Sequence, residues 1–239
     1  MKNITLLKAK VGILAVSCLS ITALFACVDK DARSDLSPNL PTDQAQNGNF
    51  GDQGGGSDQG LNFPVFDVGV VAFPCAEGYG YYATGARVGE GREIYHVTNL
   101  NDAGPGSFRD AVSKPWRIIV FDVSGVIRLS KDPIVLKSNQ TILGHTAPGD
   151  GVVLYGGRVS ASGAQNLVVR YLRMRMGAAY SGDQDACGIA NGANMIFDHC
   201  SITWGKAENF SINPDGKGTS PKNITIQNSI IGQGLQNHS

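Results

Sequence analysis

The sequence predicts an all-β solenoid, a stack of short coils, and three observations carry that expectation. Four segments align on an asparagine: Asn139-Gln-Thr-Ile-Leu, Asn166-Leu-Val-Val-Arg, Asn194-Met-Ile-Phe-Asp and Asn223-Ile-Thr-Ile-Gln, spaced by 27, 28 and 29 residues. Apolar residues keep the same phase, with Ile142, Val169, Phe197 and Ile226 three steps after each asparagine, and Met174, Ile202 and Ile231 eight steps after the last three. Glycine supplies 31 of 239 residues, well above the usual share of about 7%, as tight or left-handed turns between coil faces require. A repeat of this length, built of strand-like segments, belongs to coils that bury their apolar faces only by stacking like on like. A β-sandwich is the alternative, but its strands recur every ~8–12 residues and need no shared phase between distant segments.

The remaining segments follow in chain order. Residues 1–26 carry Lys2, Lys8 and Lys10, no acid, and an apolar stretch over 11–26. That is a secretory leader, short for a transmembrane helix. It ends Leu24-Phe25-Ala26-Cys27, resembling a bacterial lipobox with Cys27 as the lipidated residue; the bulky Phe25 leaves plain secretory cleavage open. The expected location is thus a bacterial cell envelope, lipid-anchored, or the exterior. Residues 27–63 are rich in Gly, Asp, Gln and Ser, have no periodicity, and read as a flexible tether. Residues 64–239 form the solenoid, with basic and acidic residues nearly balanced, which argues against nucleic acid as a partner. Within it, Ser107 followed by Asp110 after Gly104-Pro105-Gly106 reads as the start of a short helix capping the first coil. With 42% apolar and 17% charged residues the chain is neither wholly disordered, nor a coiled coil, nor a multi-span membrane protein. Cys75, Cys187 and Cys200 remain after Cys18 leaves with the leader. One disulfide among them is allowed, but buried small hydrophobes is the simpler reading, and without a CxxC no cysteine zinc site is expected.

From Phe73 onward the chain resembles the N-terminal part of the pectate lyase family of polysaccharide lyases, right-handed parallel β-helices. The resemblance rests on Val97-Thr-Asn-Leu-Asn-Asp102, Gly104-Pro-Gly-Ser-Phe-Arg-Asp-Ala-Val112, Ile119-Val-Phe-Asp-Val-Ser-Gly125 and Thr146-Ala-Pro-Gly-Asp-Gly151. It rests further on Asn194-Met-Ile-Phe-Asp-His199-Cys-Ser-Ile-Thr-Trp204-Gly205 and the run from Ile226 to Gln236. It implies β-elimination on pectate, an acidic polysaccharide, with calcium as cofactor and a monomeric protein. The step removes the C5 proton beside a carboxylate and expels the C4 oxygen. A cation on that carboxylate makes the proton more acidic, and calcium prefers six to eight oxygen ligands.

By the same resemblance Asp183 and Asp185 match the first calcium-binding acids, and Glu208 is the next ligand, one coil on. Where relatives place an acid before that glutamate this chain has Ala207, and where they have glycine it has Cys75. Lys206 is a candidate contact for a substrate carboxylate or a solvated lysine. Asp198 and His199 read as a structural hydrogen-bonding pair, and Asp215 as a turn residue in Pro-Asp-Gly. The family's base is an arginine expected beyond Ser239; Arg170, Arg173 and Arg175 lie in the wrong context, and His238 is poorly positioned. The expectation is a solenoid cut at its C-terminal end, carrying a calcium platform without the base. Alternatives from the residues are a β-helix glycoside hydrolase, requiring catalytic carboxylates ~5 or 6.5–9.5 Å apart, and a non-catalytic surface glycan-binding protein. No HExxH or phosphate-binding glycine loop is present.

Overall fold

A computed structural model describes residues 70–89, 91–130, 132–180, 182–218 and 220–235. The leader, the proposed lipidation site Cys27, the tether over 27–63 and His238 lie outside the described residues. The fold opens with β1 (Glu93–Val97) and helix α1 (Phe108–Ala111). Coils of three strands follow: β2 (Arg117–Phe121), β3 (Gly125–Arg128) and β4 (Ile134–Val135), then β5 (Gln140–Leu143), β6 (Val152–Tyr155) and β7 (Val159–Ser160). Next come β8 (Gln165–Arg170), β9 (Arg173–Arg175) and β10 (Cys187–Ala190), then β11 (Ala193–Asp198), β12 (Ser201–Thr203) and β13 (Phe210–Asn213). The last described strands are β14 (Lys222–Gln227) and β15 (Ile230–Gly232). Corresponding strands line up in three sheets: β1-β2-β5-β8-β11-β14, β3-β6-β9-β12-β15 and β4-β7-β10-β13. Neighbours within each sheet run parallel, so the fold is a parallel β-helix.

The apolar phase of the repeat is the register of the stack. Ile142 pairs with Val169, Val169 with Phe197 and Phe197 with Ile226. Met174 pairs with Ile202 and Ile202 with Ile231. Ile142, Val169, Phe197, Met174 and Ile202 are buried, whereas Ile231 at the last described strand is exposed. The asparagines mark one corner, where the third sheet turns into the first. Asn139, Asn166, Asn194 and Asn223 have φ of 58°, 56°, 55° and 54°. Asparagine tolerates that left-handed backbone where bulkier residues resist it. Their side chains stack in two hydrogen-bonded pairs: Asn166 Nδ2 donates to Asn139 Oδ1 at 3.0 Å, and Asn223 Nδ2 to Asn194 Oδ1 at 2.9 Å.

The predicted helix forms as one turn. Ser107 Oγ accepts from the Asp110 amide at 3.2 Å, and buried Phe108 packs on Phe121 with ring centroids 5.7 Å apart. The carboxylate of Asp110 takes the Tyr95 hydroxyl, so only half of a capping box is closed. Residues 70–89, which the sequence reading merged into the solenoid, form a strap across the outside of the first sheet. Ala72, Phe73 and Ala76 pack around Ala83, Val168 and Ile196. The strap lies so close that a Cβ on Gly80 would stand 2.1 Å from the Met195 carbonyl oxygen. Cys187 and Cys200 are free and buried, as expected. Burial pushes both thiols up, Cys200 to about 12, so neither is a nucleophile. Cys75 departs from the buried reading: it is exposed, with φ of 68°, a conformation in which glycine would be relaxed.

Candidate functional site

The corner between the second and third sheets gathers the acids. In one coil the loop after β9 carries Asp183 and Asp185 and ends at Cys187; in the next, the turn after β12 carries Lys206 and Glu208 and leads to Phe210. Cys187 pairs with Phe210, so the register sets Asp185 and Glu208 side by side on neighbouring coils. Gly205 makes the second turn possible, because a Cβ there would stand 2.1 Å from the Glu208 carbonyl oxygen. The Lys206 and Ala207 amides donate to the Gln184 carbonyl at 3.2 and 3.1 Å, locking the two turns together.

Asp185 Oδ1 accepts from the Glu208 amide at 3.3 Å, Oδ2 accepts from the Ser211 hydroxyl, and the Arg158 guanidinium stands 3.6 Å from Oδ2. Burial alone would raise the Asp185 pKa. The hydrogen bonds from Glu208 and Ser211, with the charge of Arg158, reverse that and hold it below the ordinary carboxylate value. Glu208 is displaced the other way: the hydrogen bond its side chain shares with Asp185, reinforced by the negative charge of Asp185, raises its pKa. Two carboxylates can share a hydrogen bond only while one keeps a proton, and a hard cation is the other way to relieve their repulsion.

Of the three expected calcium ligands, the structure therefore joins two. Asp183 is exposed on the same loop, and among the described residues no group of three or more His, Cys, Asp or Glu side chains is placed to hold a metal ion. The chemistry of the donor set suits calcium, but the protein side is an incomplete cage that leaves oxygen positions to other donors. Lys206 is half-buried, and its ammonium donates to the Tyr180 carbonyl at 2.9 Å. That anchors it over the same corner and leaves two of its three donors for another acceptor.

Sequence reasoning missed Arg158, which reaches both Asp185 and, at 2.7 Å, the Gln184 side chain. It read Arg173 and Arg175 as outward or loop positions but did not foresee the arginines laid over aromatic rings on the outward face of the second sheet. There Arg128 and Arg175 alternate with buried Ile127 and Met174, over the rings of Tyr155 and Trp204 at 5.5 and 6.0 Å. The signal was available in Arg173-Met174-Arg175, since an in-phase buried Met174 forces both flanking arginines outward.

Asp198 belongs to another corner and is structural, as the sequence suggested. Its Oδ2 takes Arg170 Nε at 2.7 Å and His199 Nδ1 at 2.9 Å, and its Oδ1 takes the Gln227 and Asn228 amides at 2.9 and 3.1 Å. Burial pushes its pKa up, yet the hydrogen bonds from His199, Asn228, Arg170 and Gln227 outweigh it and keep the carboxylate below its ordinary value. Arg170 also lies 3.8 Å above the Phe73 ring, tying the strap to this cluster. Asp215 closes its turn on the Lys217 amide at 2.8 Å.

Comparisons with known proteins agree with this architecture. The family model described as pectate lyase matches residues 76–230. A probable pectate lyase C of Aspergillus flavus is 56% identical over 179 residues, covering 75% of this chain and 41% of the relative. A probable pectate lyase 5 of Arabidopsis thaliana is 30% identical over 152 residues, covering 54% of this chain and 36% of the relative. The chain thus spans about two fifths of the length of the curated relatives it matches. Among solved structures, the major allergen from cedar pollen superposes with a TM-score of 0.51 at 22% identity, over 64% of this chain and 47% of that one, which is a likeness of fold. The stacked coils, the shared register and the extent of the match place the chain in the pectate lyase family.

Proposed function

We propose that this chain is the front portion of a polysaccharide lyase that cleaves pectate by calcium-assisted β-elimination. The observation that carries the reading is the meeting of Asp185 and Glu208 across neighbouring coils, where the Glu208 amide donates to Asp185 and the two acids repel unless a proton or a cation lies between them. Bound there, calcium would supply Lewis-acid polarisation of a substrate carboxylate. Asp185 and Glu208 would hold the cation from the protein side, while Asp183 stands exposed on the same loop. The hydrogen bonds from Glu208 and Ser211, with the charge of Arg158, favour the ionised form of Asp185, and Lys206, Arg128 and Arg175 supply positive charge for neighbouring uronate units.

The test is a longer product of the same reading frame assayed on polygalacturonate. Ultraviolet absorbance from unsaturated ends is expected, lost on chelation and in Glu208→Gln. Activity that survives chelation would remove the calcium assignment, and saturated products would indicate hydrolysis. The second reading, a non-catalytic glycan-binding β-helix, is favoured by Ala207 and by a corner that, among the described residues, joins two acids and no third; binding of polygalacturonate by the longer product without cleavage would establish it. The envelope location and membrane attachment rest on the leader alone. A mature N-terminus at diacylated Cys27 in mass spectrometry is the expected result.

A further inference from the structure

At the corner where the first sheet turns into the second, away from the carboxylate pair, equivalent positions on successive coils read Gly144, Tyr171, His199 and Asn228. Arg170 pairs with Asp198 and Asp198 with Gln227 just before them. The backbone is left-handed at Tyr171, His199 and Asn228, with φ of 56°, 52° and 49°. Asparagine meets that demand at little cost, as Asn228 does in the last described coil, yet the two coils before it carry a bulky tyrosine and a histidine. Bulky residues held in such a conformation concentrate at binding and catalytic sites.

These side chains wall a cavity of about 230 Å³. His199 stacks on Tyr171 with centroids 4.6 Å apart and 13° between planes, and His145 meets the other side of Tyr171 edge-on at 5.1 Å. Arg173, Asp150 and Ser201 also line it. Asp198 accepts four hydrogen bonds and has no proton to give, so His199 Nδ1 must carry the hydrogen it shares with that carboxylate. The tautomer of the neutral ring is thereby fixed, with the Nε2 lone pair free on the far side of the ring. The cavity then combines one fixed cation, Arg173, with two acceptors for hydroxyl groups, His199 Nε2 and the Asp150 carboxylate. It is smaller than the ~300–1,000 Å³ of sites for drug-sized ligands.

We propose that this corner is a second ligand site, taking one hydroxylated carboxylate of monosaccharide size, a uronic acid unit, separately from the Asp185–Glu208 corner. Arg173 takes the carboxylate as a bidentate partner, while His199 Nε2 and Asp150 accept from ring hydroxyls. The Tyr171 stack keeps the histidine edge turned to the ligand. The unit can be a free acid or the end of a polyuronate chain, and the chemistry recognised is the same.

The test titrates the full chain, at neutral pH and with a chelator present, with galacturonate and with galactose, following the histidine ring resonances by NMR. Saturable shifts of His199 and His145 are expected with galacturonate and none with galactose. Arg173→Gln, at an exposed outward position, should weaken binding about tenfold or more, as loss of a charged hydrogen-bonding partner does, while Asp185→Asn leaves it unchanged. His199→Gln should abolish it, with circular dichroism confirming the fold; Arg173→Gln decides the matter if that variant unfolds. A trimer of galacturonate should bind at this corner no more than a few-fold tighter than the monomer. No binding of galacturonate, equal binding of galactose, full binding by Arg173→Gln, or loss of binding in Asp185→Asn would each overturn the proposal.

Discussion

Two aspartates thirteen residues apart, Asp185 and Asp198, occupy different corners of the same stack and face opposite electrostatic surroundings. Asp198 is buried with Arg170, His199, Gln227 and Asn228 all donating to it. Its lone pairs are met by the protein, and it holds neighbouring coils together. Asp185 is half-buried, has one arginine at the longer distance of 3.6 Å, and faces a second acid, Glu208. The difference separates a carboxylate that finishes a scaffold from one that leaves charge to be balanced from outside. Donors in surplus mark the first kind and a like charge in contact marks the second.

The largest effect should come from breaking the finished cluster. Asp198→Asn removes the negative partner of Arg170 and His199 and should cost about 3 kcal/mol or more, in the range for a broken buried pair; denaturant unfolding reads it, and a loss below ~1 kcal/mol would mean the cluster is not what binds these coils. Because the folded pKa of Asp198 lies below its ordinary value, its contribution is present above about pH 4 and lost as pH falls below that. Asp198→Asn should therefore flatten the acid limb of the stability profile.

The open corner should respond with the opposite sign. The raised Glu208 pKa means its shared proton supports the fold below about pH 4.3 and is lost as pH rises through the raised value. On the proposed calcium reading a cation takes the place of that proton, so calcium at about a hundred times its Kd should stabilise the chain by roughly 2–3 kcal/mol at neutral pH and much less at pH 4. Glu208→Gln should abolish the calcium shift in melting temperature while Asp198→Asn retains it; a full shift in Glu208→Gln would place the ion elsewhere.

Asn194→Val asks whether the finished cluster depends on the asparagine corner that feeds β11. A β-branched residue in left-handed backbone costs about 1–2 kcal/mol, with a further ~1 kcal/mol for the hydrogen bond from Asn223. Calcium binding should be unaffected. The smallest effect is expected at the capped end: Ser107→Ala removes the bond to the Asp110 amide and should cost about 1 kcal/mol, changing neither carboxylate. A change in the calcium response there would mean that the two ends of the stack are coupled.

The sequence alone determined the stack and its register. Four asparagines in phase mark a corner that needs left-handed backbone, and residues three and eight steps on must pair with their counterparts, because stacked coils cannot slip without exposing Ile142, Val169 and Phe197 together. It also announced the α1 turn through Ser107, and both acids of the open corner through family resemblance. The strap over 70–89 was illegible, because it has no period of its own and gains its place only by packing on Val168 and Ile196. Spacing along the chain likewise could not say which acids meet. Asp183 and Asp185 are neighbours in sequence, but coil register brings Asp185 to Glu208, while Arg158 arrives from the coil before. Like charges in contact, a buried carboxylate with four donors, and a histidine whose tautomer is set by that carboxylate are properties of side chains brought together between coils, and only the tertiary structure decides them.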